Sequence, residues 1–322
     1  MTVIRLGYVA MSVQLANSSP SQTMTYAAFS KIANREAAIR KLERIAISNL
    51  ENCLRLLRYS VENEIFFYRF SSKLIPLANH EELTGWDFYT PLKSTLKKIN
   101  QFLKENPTMR VDFHPDHFVL LNSPKADILH TSLATLEIHK KLLMYMGISP
   151  THRCVLHVGG AYGDKEKAVE QFIHNWGLVP IDLQEIIMLE NDDKTFTLQD
   201  TLYLCEKLGI PCVFDLHHHE VNNEGISWED HWERIIQSWT NSPLPMKMHI
   251  SSPRSESNFR AHADTIHVKS FHEFLQKVKG TVEQIDVMIE AKGKDEALFQ
   301  LVADLKEIGG YEWVNGSTFY VK

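Results

Sequence analysis

Residues 195–221 read TFTLQDTLYLCEKLGIPCVFDLHHHEV, and the stretch contains one complete unit of an alternating α/β fold. Leu198, Leu202, Cys205 and Leu208 recur at helical spacing, with Thr197 as N-cap and Gly209 and Pro211 as the stop. The short apolar run Cys212–Leu216 then reads as a buried strand, and it runs into Asp215 and three consecutive histidines, His217, His218 and His219. Alternation along a strand puts Asp215, His217 and His219 on one face, which favours His217 as the partner of Asp215.

The same unit recurs along the chain. Short β-rich runs stand at Val3–Tyr8, Ile65–Phe70, Met109–Phe113, Cys154–His157, Ile186–Glu190, Met246–Ile250 and Ile285–Glu290, most of them bracketed by Gly, Pro, Asn or Asp. Amphipathic stretches separate them. Leu42, Ile45, Leu50, Cys53, Leu54 and Leu57 mark one helical face, and residues 295–310 repeat the design before Gly309 and Gly310. Strict strand–helix alternation predicts an α/β fold, a single (β/α)8 TIM-type barrel spanning residues 1–322, in preference to a doubly wound sheet. The polar segment Met11–Lys41 falls on the face where barrel active sites are built, and reads either as groove lining or as a decorated loop.

Composition narrows the class. A hydrophobic content of 44% suits an ordinary core, and no apolar run approaches the roughly 20 residues of a membrane span. The N-terminal MTVIRLGYVAMSVQ reads as a first strand, not a secretion signal. Cys53, Cys154, Cys205 and Cys212 form no CxxC pair, so reduced thiols and a cytoplasmic location are expected, with no membrane association and no obligate protein partner. A net charge of −6 weighs against nucleic acid binding on electrostatics alone. Three bound divalent cations would add about six positive charges and reverse that locally.

The ends of the runs carry the chemistry. The third run ends at His114, the fourth at His157, the fifth at Glu190, the sixth at Asp215 with the histidines, the seventh at His249, and the eighth at Glu290; the second reaches His80 further on. In a parallel barrel these ends meet at one rim. One strand-end histidine is commonly a hydrogen-bonded structural residue, but six successive ends with His, Asp or Glu describe a metal cluster at the C-terminal rim. Imidazoles mixed with carboxylates, without thiolate, suit Zn²⁺, Mn²⁺ or Fe²⁺. His130, His139, His152, His174, His231 and His272 lie within helical or loop patterns and read as structural.

Other features are two-sided. Gly159, Gly160 and Gly163 either hold a phosphate on backbone amides or make a tight turn. ISSPRSES after His249 offers hydroxyls and Arg254 to a phosphodiester, or caps a loop; Lys292 and Lys294 face a DNA backbone or only solvent. Lys247 shares a strand face with His249, so among cations it must be deprotonated, modified or directed elsewhere. A His/carboxylate cage generates hydroxide at neutral pH and neutralises the charge of an in-line displacement, which serves phosphodiester hydrolysis. Metal-dependent sugar isomerases use related barrel chemistry, and a non-catalytic metal scaffold is a further reading.

YRFSSKLIP, FHPDHF, HVGGAYGDK, LENDD, FDLHH, HISSPRSE, HAD and MIEAKGKD, taken in order across nearly the whole chain, resemble the UV damage endonuclease family, relatives of endonuclease IV. The resemblance implies a divalent-metal centre, three ions and most often Mn²⁺, with UV-damaged double-stranded DNA as partner. The implied reaction is incision immediately 5′ of cyclobutane dimers and 6-4 photoproducts, leaving a 3′-hydroxyl; an abasic-site nuclease is the neighbouring alternative. It further implies His80, His114, His157, Glu190, Asp215, His218, His249, His262 and Glu290 as metal ligands, with Glu190 bridging two ions and acting with Lys247 in catalysis. Asp215 is then paired with His218, leaving His217 beside the ligands and His219 towards solvent. Lys247 matches a lysine that can be carboxylated, and Tyr8 an aromatic of the lesion pocket. Where the family has Gln and an aromatic as damage probes, this chain has His117 and Phe118.

Overall fold

The computed structural model describes residues 1–322. Eight parallel strands close into a barrel: β1 (Thr2–Val9), β2 (Phe67–Phe70), β3 (Arg110–Phe113), β4 (Cys154–His157), β5 (Ile187–Glu190), β6 (Cys212–Asp215), β7 (Met246–Ile250) and, after a hairpin of β8 (Pro253–Ser255) and β9 (Asn258–His262), β10 (Gln284–Ile289). Neighbours pair in that order, and β10 returns to β1 with Val3 opposite Gln284 and Tyr8 opposite Ile289. Helices cover the barrel from outside, as in a TIM barrel, and none is long and apolar enough to cross a membrane. Every expected run seeds a strand.

Three features depart from expectation. The β8–β9 hairpin rises from the C-terminal rim, and β11 (Tyr311–Trp313) with β12 (Thr318–Val321) forms an antiparallel ribbon on the lower half of β1. The first long helix starts at Arg35, not after Lys41, because Asn34 caps it by accepting from the Ala37 N–H and REAAIRK consists of strong helix formers. The loop after β1 therefore covers residues 10–34 and includes a helical turn, Tyr26–Ser30.

The unit at 195–221 shows how local chemistry sets the ends of elements. The Thr197 and Asp200 side chains each accept from the other's backbone N–H, a capping box worth about 1 kcal/mol. Gly209 ends the helix at φ 70°, a conformation open to glycine. The strand stops at Asp215, whose carboxylate accepts from the His218 N–H at 2.7 Å and so caps a short helix, Leu216–Val221.

The apolar core lies between barrel and helices, with Ile4, Leu6, Leu50, Leu57, Leu202 and Leu298 among its fully buried residues. The lower barrel interior is polar. Arg5 Nε donates to Asp286 Oδ1 at 2.8 Å, Arg110 bridges Asp112 and Asp286 at 3.1 and 2.8 Å, and Arg153 Nη1 reaches Asp112 Oδ1 at 3.3 Å. Lys247, fully buried, sits in this layer with Nζ 3.3 Å from Asp112 Oδ2. Four cations thus face two carboxylates inside the barrel, directly beneath its C-terminal mouth.

Candidate metal centre

Glu190, at the end of β5 and without solvent exposure, is the hub of the mouth. Its Oε2 is 3.0 Å from His114 Nε2 and 4.0 Å from His157 Nε2; its Oε1 is 3.0 Å from His249 Nδ1 and 3.3 Å from His218 Nδ1. His249 Nδ1 also stands 3.1 Å from Glu290 Oε1, and His218 Nδ1 is 3.8 Å from Asp215 Oδ2. Three donor sets result, each with its ligand atoms within 4.8 Å of one another: His114–His157–Glu190, Glu190–Asp215–His218, and Glu190–His249–Glu290. Glu190 belongs to all three.

The electrostatics fit cation binding. Burial alone would raise Glu190, yet His249 and His157 hold it well below the carboxylate range. Burial raises Asp215 to about 8, with Glu190 and Glu290 adding to the rise. Burial lowers His249 to about 4, which leaves a neutral imidazole, the ligating form. Asp215 Oδ2, His157 Nδ1 and His249 Nε2 are buried without any hydrogen-bond partner. A buried polar atom left alone costs about 1–3 kcal/mol, and a carboxyl oxygen more, so Asp215 Oδ2 beside His218 suits a divalent ion, whereas the two orphaned ring nitrogens are not the ones that face Glu190.

The triple histidine separates into three roles, because the short helix turns each ring to a different side. His218 faces the cluster, with Nδ1 2.9 Å from the Asn191 carbonyl. His217 turns sideways to the hairpin: Nε2 donates to Phe259 O at 2.8 Å, and Nδ1 meets Ser251 Oγ at 2.6 Å. His219 does not face solvent, contrary to expectation. It is buried, 5.9 Å from the Phe214 ring, because the helix carries it back over β6.

Other expected residues are placed as follows. His262, at the end of β9, sets Nδ1 2.7 Å from the Glu290 carbonyl, and its ring is 6.1 Å from His218. His80 is not brought into the cluster; it stacks on Tyr26 at 4.1 Å and accepts from the Glu82 N–H. Tyr8 does not reach the mouth either. Arg5 points into the barrel, so alternation turns Tyr8 outward, where its hydroxyl is 3.0 Å from Ser60 Oγ. Lys247 lies beneath the donor sets, and burial lowers it to about 8. His117 and Phe118 stand on the rim with their rings 4.1 Å apart, and Phe118 is 73% exposed. Gly159, at φ 122°, serves close packing, since a Cβ there would meet Asn122 Oδ1 at 2.2 Å.

Two residues of the site escape the sequence reading. Arg69, facing inward from β2, pairs with Glu290. Asn191 exchanges two 2.9 Å hydrogen bonds with the backbone of Asp215 and holds it beside Glu190. Strand alternation, extended from the run ends into their interiors, points to Arg69; Asn191 stands next to Glu190 in LENDD.

A family profile described as UV-endonuclease UvdE matches residues 4–320. A UV DNA damage endonuclease of Halalkalibacterium halodurans is 51% identical over 305 residues, covering 94% of each chain. The crystal structure of SacUVDE superposes with a TM-score of 0.81 at 30% identity, covering 95% of this chain and 99% of that one. Endonuclease IV from Thermus thermophilus gives a TM-score of 0.54 at 12% identity over 94% of this chain and 99% of its own, a likeness of fold alone. With the profile spanning nearly all of its length and half of its residues shared with a curated relative, the chain belongs to the UV-endonuclease UvdE family.

Proposed function

We propose that the protein is a metal-dependent DNA repair endonuclease, residues 1–322 forming one catalytic barrel that nicks UV-damaged duplex DNA immediately 5′ of cyclobutane dimers and 6-4 photoproducts. The observation that carries this reading is the Glu190-centred set of donors at the barrel mouth, in a chain of this family. In this reading three divalent ions, Mn²⁺ foremost by the family resemblance, are held by His114, His157, Glu190, Asp215, His218, His249 and Glu290, with His262 at their edge. Bound there, such ions supply a nucleophile at neutral pH and charge neutralisation for in-line phosphodiester cleavage.

The chain's own residues do the rest. Glu190 ties the donor sets together and fixes their spacing. Asn191 and the Asp215 cap hold the His218 ring in place. Arg69 balances Glu290 and sets a guanidinium at the edge of the cluster, where a phosphate oxygen can accept from it. The exposure of Phe118 on the rim beside His117 supports a role in stacking on poorly paired bases.

Lys247 is the candidate for carboxylation. Arg110 Nη2 and Lys247 Nζ are both buried without a hydrogen-bond partner, and Nζ, although 3.3 Å from Asp112, lacks hydrogen-bond alignment with it. Attack of the neutral amine on carbon dioxide forms an N–C bond, releases one proton and leaves an anion that can accept from Arg110. Arg5, Arg110 and Arg153 would then face three anions, the carbamate, Asp112 and Asp286. Intact-mass measurement near neutral pH should show the added carbon dioxide, and a plain amine would remove this role. Four buried, unpaired cysteines suit a reducing, cytoplasmic setting.

The test uses purified protein with Mn²⁺ and supercoiled plasmid, irradiated, abasic or intact. Nicking of irradiated plasmid alone, with end-labelled duplex cut 5′ of the lesion to a 3′-hydroxyl, supports the proposal. Preference for abasic plasmid would reassign the enzyme, and equal or absent nicking of all three would end the reading.

A further inference from the structure

The β8–β9 hairpin holds an aromatic side chain that the cluster does not use. Its tip, Ser255–Asn258, is polar and exposed, yet Phe259 follows it 41% exposed. Single exposed hydrophobes are common and need no explanation of their own. Here the surrounding backbone is pinned from three directions. Fully buried His217 donates to the Phe259 carbonyl, Arg260 pairs with Asp193 after β5 at 2.9 Å, and His262 binds the Glu290 carbonyl after β10. Ala263 N–H also donates to the Ser252 carbonyl at 2.8 Å and closes the hairpin base onto β7. The Phe259 ring is thus partly exposed on an anchored backbone, with the His217 ring edge-on to it at 5.9 Å.

Its position is set by the barrel. Phe118 follows the third barrel strand, whereas the hairpin that carries Phe259 leaves the seventh and is held at the ends of the fifth and sixth, so the two rings belong to different sides of the mouth. Arg254, on the same hairpin, is exposed and makes no ion pair, so a cation without a protein partner accompanies the ring. Aromatic rings that receive bases, beside cations that track phosphates, make up single-strand and flipped-base binding surfaces.

We infer that Phe259 is a second base-contacting side chain, stacking on an unstacked base on a different side of the mouth from Phe118, while Arg254 meets the neighbouring phosphate. This rests on the nuclease reading and adds a residue that sets lesion specificity. A duplex laid over the mouth is then gripped by stacking at both places, and the His217 strut fixes the distance between the two grips.

The experiment uses the full-length Mn²⁺-loaded protein and a fluorescein-labelled duplex with one cyclobutane dimer, reading nicking kinetics and binding by anisotropy. For Phe259→Ala we expect KM and the anisotropy Kd to rise about tenfold or more, kcat to stay within about twofold, and metal content and Tm to match wild type. Phe259→Trp should restore affinity, and Arg254→Ala should reduce the slope of log K against log salt by about 1. Wild-type kinetics in Phe259→Ala would overturn the inference, as would loss of metal in that variant. Were wild-type protein to bind the lesion without cutting it, the nuclease reading would fall while weakened binding by Phe259→Ala still supported this contact. Absence of wild-type binding would sink both.

Discussion

Glu190 is the residue on which the cluster turns, because removing its charge affects three donor sets at once. Glu190→Gln keeps the shape but gives up an anion, so metal content by plasma mass spectrometry should fall well below wild type, and nicking by about 100-fold or more. Phe118→Ala should behave oppositely: incision of damaged DNA weakens by about tenfold or more while metal content is unchanged. At this scale the sequence was legible wherever a strand ended on a charged or imidazole side chain. It failed at the triple histidine. Alternation points to His217, while Asp215, by accepting from the His218 N–H, has already ended the strand and started a helix. A cap is a local event that a period of two cannot show. Tyr8 failed for the opposite reason: its parity relative to Arg5 sets its face, and that face is turned away from the mouth.

The barrel strands were legible as elements because each is a short apolar run between turn residues. The hairpin was not, since its strands of three and five residues are short and mostly polar, and the β11–β12 ribbon was too short to stand out. The loop after β1 follows a similar pattern, with its anchors far away in sequence. Asp295, buried at the start of the helix Lys294–Ile308, accepts from Val13 N–H at 2.7 Å, from Tyr59 at 2.9 Å and from Ser12. Asp295→Ala leaves those donors unpaired. The variant should lose about 1–3 kcal/mol in urea unfolding and become sensitive to limited proteolysis between residues 11 and 24. Unchanged unfolding and cleavage would show that the loop is held by other contacts.

Across the whole molecule, two buried polar features bear on stability. Burial lowers His139, packed 4.7 Å from Phe113, to about 4 against an ordinary 6.5. Its folded pKa is depressed, so the unfolded chain takes up the proton first. The contribution is full above about pH 6.5, erodes as pH falls and is exhausted near pH 4, a loss of roughly 3 kcal/mol. Unfolding free energy followed from pH 7 to 4 should fall less steeply in His139→Leu. The charged barrel interior is the second feature. Arg110→Met leaves Asp112 and Asp286 short of a partner and should cost about 3–5 kcal/mol by denaturant titration. That interior was not legible, because Arg5, Arg110, Asp112 and Asp286 lie within apolar runs whose chemistry shows only at their ends. The closing pairs of the barrel also bear on its synthesis. Strand β1 is made well before its partners: Arg5 waits for Asp286, 281 residues later, and its lower edge for β12. At about 5–20 residues per second that delay is about 15–60 s, during which the nascent chain carries an unpaired strand edge. Barrel closure therefore waits on a distant segment, and the arrival of β10 settles whether the edge of β1 is ever covered.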